Sequence, residues 1–386
     1  MKIAVVGVGT IGSQILRYLA KVPGIEVHGF EMHYPGHPYA AAGGESRLFR
    51  SFEFGNSMYQ QTVVEKADNL WRDLEMEAGR SLINRTGALV FGNEKSRSLQ
   101  QLIRIANTTG RKFELLDSQD LKRVHPEFNW DSDELGLWDP LGGIIRPELS
   151  ILSSARLAEH NGAQIHCGTR VDQIHDSGKD IEVTVGGECL SFDRAVVTSG
   201  GWTTQLVPNL RSRLVTRRLT SVWYQAKSDS YISGIVPFMR AEPGYCYGLP
   251  TEDKRSIKIG LGFHDHLPVA NPDEVSSQPH PEQVQEQFQW VTQELLPGLY
   301  PHPLRTDTYI ESYSTNMRDY IAFESDSNRL LVMAGFSGKG FKIAPVLGEI
   351  GANALSHGTL ASIPEATPKF EITDLGSGSA QSITSE

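Results

Sequence analysis

The chain begins MKIAVVGVGTIGSQ, and no other stretch restricts its fold as much. Lys2–Gly7 is a short apolar run, the pattern of a strand buried on both faces. Ile11, Ile15, Leu16 and Leu19 recur at helical spacing and define one apolar face. Between the two lies Gly7-Val8-Gly9-Thr10-Ile11-Gly12, a G-x-G-x-x-G turn. In such a turn Gly7 permits the tight reversal and Gly9 lets the backbone approach a pyrophosphate. Gly12 lets the helix pack closely on the strand. The free amides that open the helix, around Thr10 and Ile11, then point at phosphate. GIEVHGFE reads as the second strand and ends on Glu31, about 20 residues on, where a carboxylate accepts from ribose hydroxyls. The expectation is a dinucleotide-binding α/β unit. The motif by itself does not choose between NAD and FAD.

The remaining composition narrows the class. A chain of 386 residues has length for two or three domain-sized units. Its net charge of −10 argues against a nucleic-acid or anionic-membrane partner, because phosphate affinity needs clustered Lys and Arg. No run approaches the length of a membrane span. Cys167, Cys189 and Cys246 have no metal or redox spacing and read as reduced thiols. The chain enters its first strand with no charged leader or cleavage site. A cytoplasmic monomer is expected.

Tyr59–Ala78, Glu94–Thr108, Glu148–Asn161 and Glu282–Leu296 carry helical patterns, and Gly87–Gly92 reads as a strand. LLDSQDLKRVHPEF places a short helix behind a Ser/Asp cap, stopped by Pro126. IEVTVGGECLSFDRAVVTSG reads as a hairpin leading into a buried strand. From Val215 to Phe263 the sequence turns strand-rich and alternating. The late segment returns to strand (RLLVMAG), glycine turn and helix (Ile343–Leu355). This order predicts one discontinuous α/β domain interrupted by a strand-rich insertion.

That late turn, GFSGKGFK at Gly335–Lys342, joins GGESRLFRSFEFG at Gly43–Gly55, YCYGLP and IKIG. Together they resemble the sarcosine oxidase and N-methyltryptophan oxidase branch of the D-amino acid oxidase flavoprotein family. TGALVFG, GTRVDQI and SGGWTTQL follow in the family's order, so the resemblance runs from Lys2 to Leu355. It implies a Rossmann-like FAD-binding domain over 1–58, 146–214 and 305–371. An inserted strand-rich (α+β) substrate domain would cover 59–145 and 215–304. Beyond the resemblance, LGSGSAQSITSE lacks apolar periodicity, and 372–386 reads as a disordered tail. The resemblance also implies an extended FAD with its adenine end at the first glycine turn. The flavin ring would then meet the second, through Gly338, Lys339, Gly340, Phe341 and Lys342. A helix N-terminus with Lys342 beside it suits the negative charge of a reduced flavin. Val171, Gly200, Trp202 and Arg47 are the further cofactor contacts implied.

By the same resemblance, Arg50 and Lys342 hold a substrate carboxylate. An arginine offers bidentate recognition and a lysine adds a point charge. Tyr247 orients the substrate. Lys258 lies over the flavin and promotes reaction with dioxygen, where a cation stabilises developing superoxide. The family's active-site histidine is His264, His266 or neither. The ordinary alternatives are a surface basic pair for Arg47 and Arg50, a core tyrosine for Tyr247 and a solvent-facing strand lysine for Lys258. Three departures stand out. Glu311 occupies the place of the cysteine that attaches flavin in covalent relatives, so a non-covalent FAD is expected. An insertion follows Lys258. Gly43-Gly44 replace a histidine and could make room for a larger amine. His264-Asp265-His266 lacks a third ligand, so no metal is expected.

The function implied is an FAD-dependent amine oxidase. It would oxidise an amino acid, chiefly a secondary (N-alkyl or cyclic) one, to an imine while dioxygen becomes hydrogen peroxide. A flavin dehydrogenase, a biosynthetic tailoring oxidase for a larger amine and a non-catalytic flavin- or NAD-binding protein are the competing readings.

Overall fold

A computed structural model of the chain describes residues 1–53, 58–262, 266–324 and 327–360. The expected tail over 372–386 and candidate His264 lie outside the described residues. The opening motif forms strand Lys2–Val6, helix Gly12–Leu19 and strand Glu26–Glu31. Lys2–Val6 is interior to a six-stranded sheet. The strand order is Tyr320–Phe323, Leu330–Ala334, Arg194–Val197, Lys2–Val6, Glu26–Glu31 and Gln164–Cys167. Neighbours are parallel except at the Tyr320–Phe323 edge.

Burial on both faces explains the apolar run. Ile3 and Val5 pack with Ile15, Leu16 and Leu19 on the helical side. Ala4 and Val6 pack with Ile181, Val183 and Phe192 on the other. Those last three belong to a three-stranded antiparallel sheet, Gln173–Asp176, Ile181–Val185 and Glu188–Phe192, which contains the expected hairpin. Local caps also hold: Asp117 accepts from the amides of Gln119 and Asp120, both at 2.9 Å, and starts helix Ser118–Val124.

The strand-rich region forms a nine-stranded sheet. Leu214–Ala226 lies between Leu299–Ser314 and Ser256–Leu261, and the order continues through Cys246–Pro250, Phe238–Arg240 and Ala88–Asn93. Val222, Ile257, Ile259 and Phe238 pack on Phe288 of helix Pro281–Trp290. Helix Met58–Ala78 corrects one expectation. The sequence assigns it to the inserted unit, but Val63, Val64, Ala67, Trp71 and Leu74 join the core beneath the six-stranded sheet. Trp71 stacks on Phe341 with centroids 5.9 Å apart, and its indole donates to the Lys342 carbonyl at 2.8 Å. No helix among the described residues is long and apolar enough to cross a membrane.

Candidate active site

The carboxyl ends of the parallel strands open on a cleft of about 390 Å³. Val6, Glu31, Thr198 and Ala334 line it, each at or just beyond a strand end. Open α/β sheets bind ligands at this edge. The glycine turn is pinned there: Gly7 N donates to Phe30 O at 2.9 Å, and Thr198 Oγ1 donates to Gly7 O at 2.7 Å. The three glycines divide their work. Gly7 has φ +94°, and a Cβ on Gly12 would lie 1.9 Å from Gly7 O. A Cβ on Gly9 would meet nothing within 4 Å. Gly7 and Gly12 therefore serve the turn, and Gly9 keeps the cleft clear.

Glu31 accepts from Val8 N at 2.9 Å and His33 N at 3.0 Å, and His37 Nε2 lies 3.4 Å from it. Burial disfavours its charge, but these donors outweigh burial and hold its pKa below the usual carboxylate value. Thr10, Ile11, Arg47, Val171, Gly200, Trp202, Gly338, Gly340 and Phe341, all cofactor candidates, also line the cleft. Gly12, Lys339 and Lys342 do not. Gly12 is packed under the turn, Lys339 Nζ donates to Met317 O at 3.5 Å, and Lys342 turns to an acid.

Strand register brings the remaining candidates together. Residues directly opposite in neighbouring strands share a face. Tyr247 pairs with Gly260, and Lys258 pairs with Trp223, which pairs with Arg305. Along Leu299–Ser314, Arg305, Tyr309, Glu311 and Tyr313 then alternate onto that same face. Ile257 and Ile259 take the opposite face and enter the core. Tyr247 packs beside Phe52 and bonds Ser221. Burial, opposed by Arg47, raises the pKa of its phenol, which stays a donor. Tyr313, which the sequence reading passed over, is similarly raised by burial, with Glu311, Tyr247 and Tyr245 adding to the effect. His266 Nδ1 lies 2.8 Å from the Tyr313 hydroxyl, and burial pulls this imidazole down to about 4, so it is neutral.

Arg50 and Lys342, far apart in sequence, converge on one carboxylate. It belongs to Glu53, another residue the sequence reading missed. Arg50 Nη2 lies 3.6 Å from Glu53 Oε1, and Lys342 Nζ pairs with Glu53 Oε2. Burial opposes the Glu53 charge, but Lys342 and Arg50 overcome it and hold the acid at about 2. Burial brings Lys342 down to about 8 against the pull of Glu53. The only signal for Glu53 in the sequence is an acid three residues after an arginine, which is too common to single it out.

Lys258 is fully buried rather than solvent-facing. Arg47 donates to the carbonyl oxygens of Ser46 and Gly43, both at 2.7 Å, and of Ala41. The space beside Gly43 and Gly44 is taken up by Tyr309 and by Pro38 O, which a Cβ on Gly43 would meet at 2.1 Å. A Cβ on either glycine would lie 2.6 Å from the Tyr309 ring or hydroxyl. Glu311 stands on the cleft wall and accepts from Gly338 N at 2.8 Å. Burial, opposed by that amide and by Arg47, pushes its carboxyl up to about 7. Among the described residues no group of three His, Cys, Asp or Glu side chains could hold a metal.

A family profile described as FAD-dependent oxidoreductase matches residues 2–354. The chain belongs to the FAD-dependent oxidoreductases. Monomeric sarcosine oxidase of Streptomyces avermitilis is 26% identical over 372 residues, which span 93% of this chain and 94% of that protein. N-methyl-L-tryptophan oxidase of Salmonella typhimurium is 27% identical over 385 residues, 96% of each chain. The fold is similar to that of NikD, an amino acid oxidase of nikkomycin biosynthesis. The TM-score is 0.81 at 21% identity, with 98% of this chain and 97% of that one covered. FAD is thus the cofactor of this oxidoreductase. The clear space at Gly9, the acceptor at Glu31 and the extended cleft fit such a dinucleotide.

Proposed function

We propose that this FAD-dependent oxidoreductase is an oxidase of a secondary amino acid, N-alkylated or cyclic. The observation that carries this reading is the convergence of Arg50 and Lys342 on a single carboxylate. Two cations in a largely buried setting recognise an acid far better than a neutral group. In this reading they anchor the substrate carboxylate. Tyr247, kept protonated, donates to the substrate and orients it. Bound FAD supplies the acceptor for a hydride from the carbon next to the amine nitrogen, and dioxygen takes the electrons to give hydrogen peroxide. The imine left behind hydrolyses in water. Positioning by the anchor and by the Tyr247 face supplies much of the rate.

Several further statements belong to the same proposal. Gly7, Gly9, Thr10, Ile11, Glu31, Val171, Gly200, Trp202, Gly338, Gly340 and Phe341 hold the cofactor without a covalent bond. Lys258 assists dioxygen from beneath the Arg47 loop. The chain works as a cytoplasmic monomer with a cofactor unit and an inserted substrate unit, helix Met58–Ala78 counting with the former. The test is anaerobic mixing of the yellow protein with a panel of amines. N-methyl and cyclic amino acids are expected to bleach the flavin, and their decarboxylated counterparts are not. Equal bleaching by amines lacking the acid would refute the anchor.

A further inference from the structure

The acid-binding pair already grips a carboxylate that comes from the chain itself. We propose that Glu53 is a specificity-determining residue. It is an internal competitor that an acidic ligand displaces from Arg50 and Lys342, so the site exchanges carboxylates rather than adding a second. This rests on the reading of Arg50 and Lys342 as the acid anchor.

The geometry is that of a bound monocarboxylate. One oxygen of Glu53 faces Arg50 and the other pairs with Lys342. A second carboxylate on the same two cations would bring two anions together in a largely buried place, which is strongly disfavoured. The chain leading into Glu53 is held. Glu53 N donates to Gln61 Oε1 at 3.1 Å, and Gln61 Nε2 donates to Ser51 O at 2.9 Å. Ser51 is clamped by Asp139 through its amide at 2.6 Å and its hydroxyl at 2.7 Å. On the other side Trp71 holds the Lys342 carbonyl. Exchange then takes the form of a rotation of the Glu53 side chain away from the two cations, with the preceding residues and Lys342 held in place.

The consequence is selectivity. A tethered carboxylate competes at a high effective concentration. An acid with no other contact is rejected, and one whose amine and carbon skeleton also fit the Tyr247 face is admitted. Glu53 turns an anchor for any carboxylate into a filter for carboxylates with the right remainder. Neutralising it releases that filter.

The experiment titrates the FAD-loaded enzyme with acetate at mildly acidic pH, well below the Lys342 value of about 8, because neutralising Glu53 removes the charge that holds this lysine up against burial. Binding is followed by calorimetry and by the flavin spectrum, with acetamide as the uncharged control. Glu53→Gln is expected to tighten acetate by about one to two decades, the span of a charge-assisted hydrogen bond, with acetamide unchanged. Glu53→Asp keeps the charge on a stem too short to span both cations and is expected to fall between. Acetate binding that is unchanged or weaker in both variants, while flavin content is kept, overturns the competitor role. If Arg50→Ala still abolishes acetate binding in that case, the anchor survives and only Glu53 is misassigned. If acetate binds none of the forms, the anchor falls and this proposal falls with it.

Discussion

The Lys258 ammonium donates to the carbonyl oxygen of Gly44 at 3.0 Å, beneath the loop that carries Arg47. It also donates to Ser46 O at 2.5 Å, while Arg47 curls back onto neighbouring carbonyls of the same loop. Two cations thus knit one loop from within. Burial, and then Arg47, drive the Lys258 pKa well below the usual lysine value. An ammonium has three donors, and among the described residues these two carbonyls take two of them.

Lys258→Met is expected to leave anaerobic bleaching by substrate near its normal rate and to slow the return of colour in air by about two to three decades. Methionine keeps the stem length. The Gly44 and Ser46 carbonyls lose their donor, at about 1–3 kcal/mol of stability, so the melting temperature falls. Stopped-flow spectroscopy of each half-reaction decides the first point. A normal return of colour would remove Lys258 from the dioxygen step.

Gly9→Val and Gly12→Ala separate cofactor binding from folding. The Gly9 side chain would enter open cleft, so the apoprotein should melt as before while FAD affinity drops by more than about tenfold, the scale of 1.4 kcal/mol. The Gly12 methyl would strike Gly7 O and destabilise the turn itself. Equal melting losses in both variants would contradict this division.

FAD is expected to leave with denaturation. Glu311, a carboxyl, faces the cleft where attachment by a cysteine is implied, and none of Cys167, Cys189 and Cys246 lines that cleft. Acid precipitation should leave all of the yellow colour in the supernatant. Colour in the pellet would show a covalent link.

Glu311 makes stability depend on pH. Its folded value is raised to about 7 from an ordinary 4.5, so the folded state favours the protonated form. Below 4.5 both states are protonated and there is no penalty. As pH rises from 4.5 to 7 the unfolded chain ionises first, and the folded state loses stability until the penalty is complete. Glu311→Gln removes this loss. Its melting temperature should therefore gain on the parent protein through that window, by a few degrees at the upper end. A gap that does not vary with pH would show that the carboxyl is not desolvated.

Asp273 latches one part of the cleft wall. Its carboxylate receives Arg170 at 2.9 and 3.0 Å, Trp202 at 2.8 Å and Gln205 at 3.2 Å, and all three donors line the cleft. Asp273→Ala frees this wall. The pair is partly exposed and screened, so a modest rise in the FAD dissociation rate, about threefold to tenfold, is expected by fluorescence after dilution. An unchanged rate would make the cluster a surface ornament of the loop Pro272–Glu274.

The sequence by itself determined the strand–turn–helix opening, the place of Glu31, the Asp117 cap and the second glycine turn. Each depends on periodicity or turn chemistry within a few residues, so each is written locally. Only the tertiary structure decided which distant groups meet. Tyr247, Lys258, Tyr309, Glu311 and Tyr313 share a face because four neighbouring strands pair in register, and a slip of one residue would turn each to the opposite side. Glu53 finds Lys342, Tyr309 fills the gap at Gly43-Gly44, and Trp71 carries its helix into the first core for the same kind of reason. Local pattern selects the elements. Long-range packing and charge pairing select the neighbours, and no short stretch of the chain encodes a neighbour hundreds of residues away.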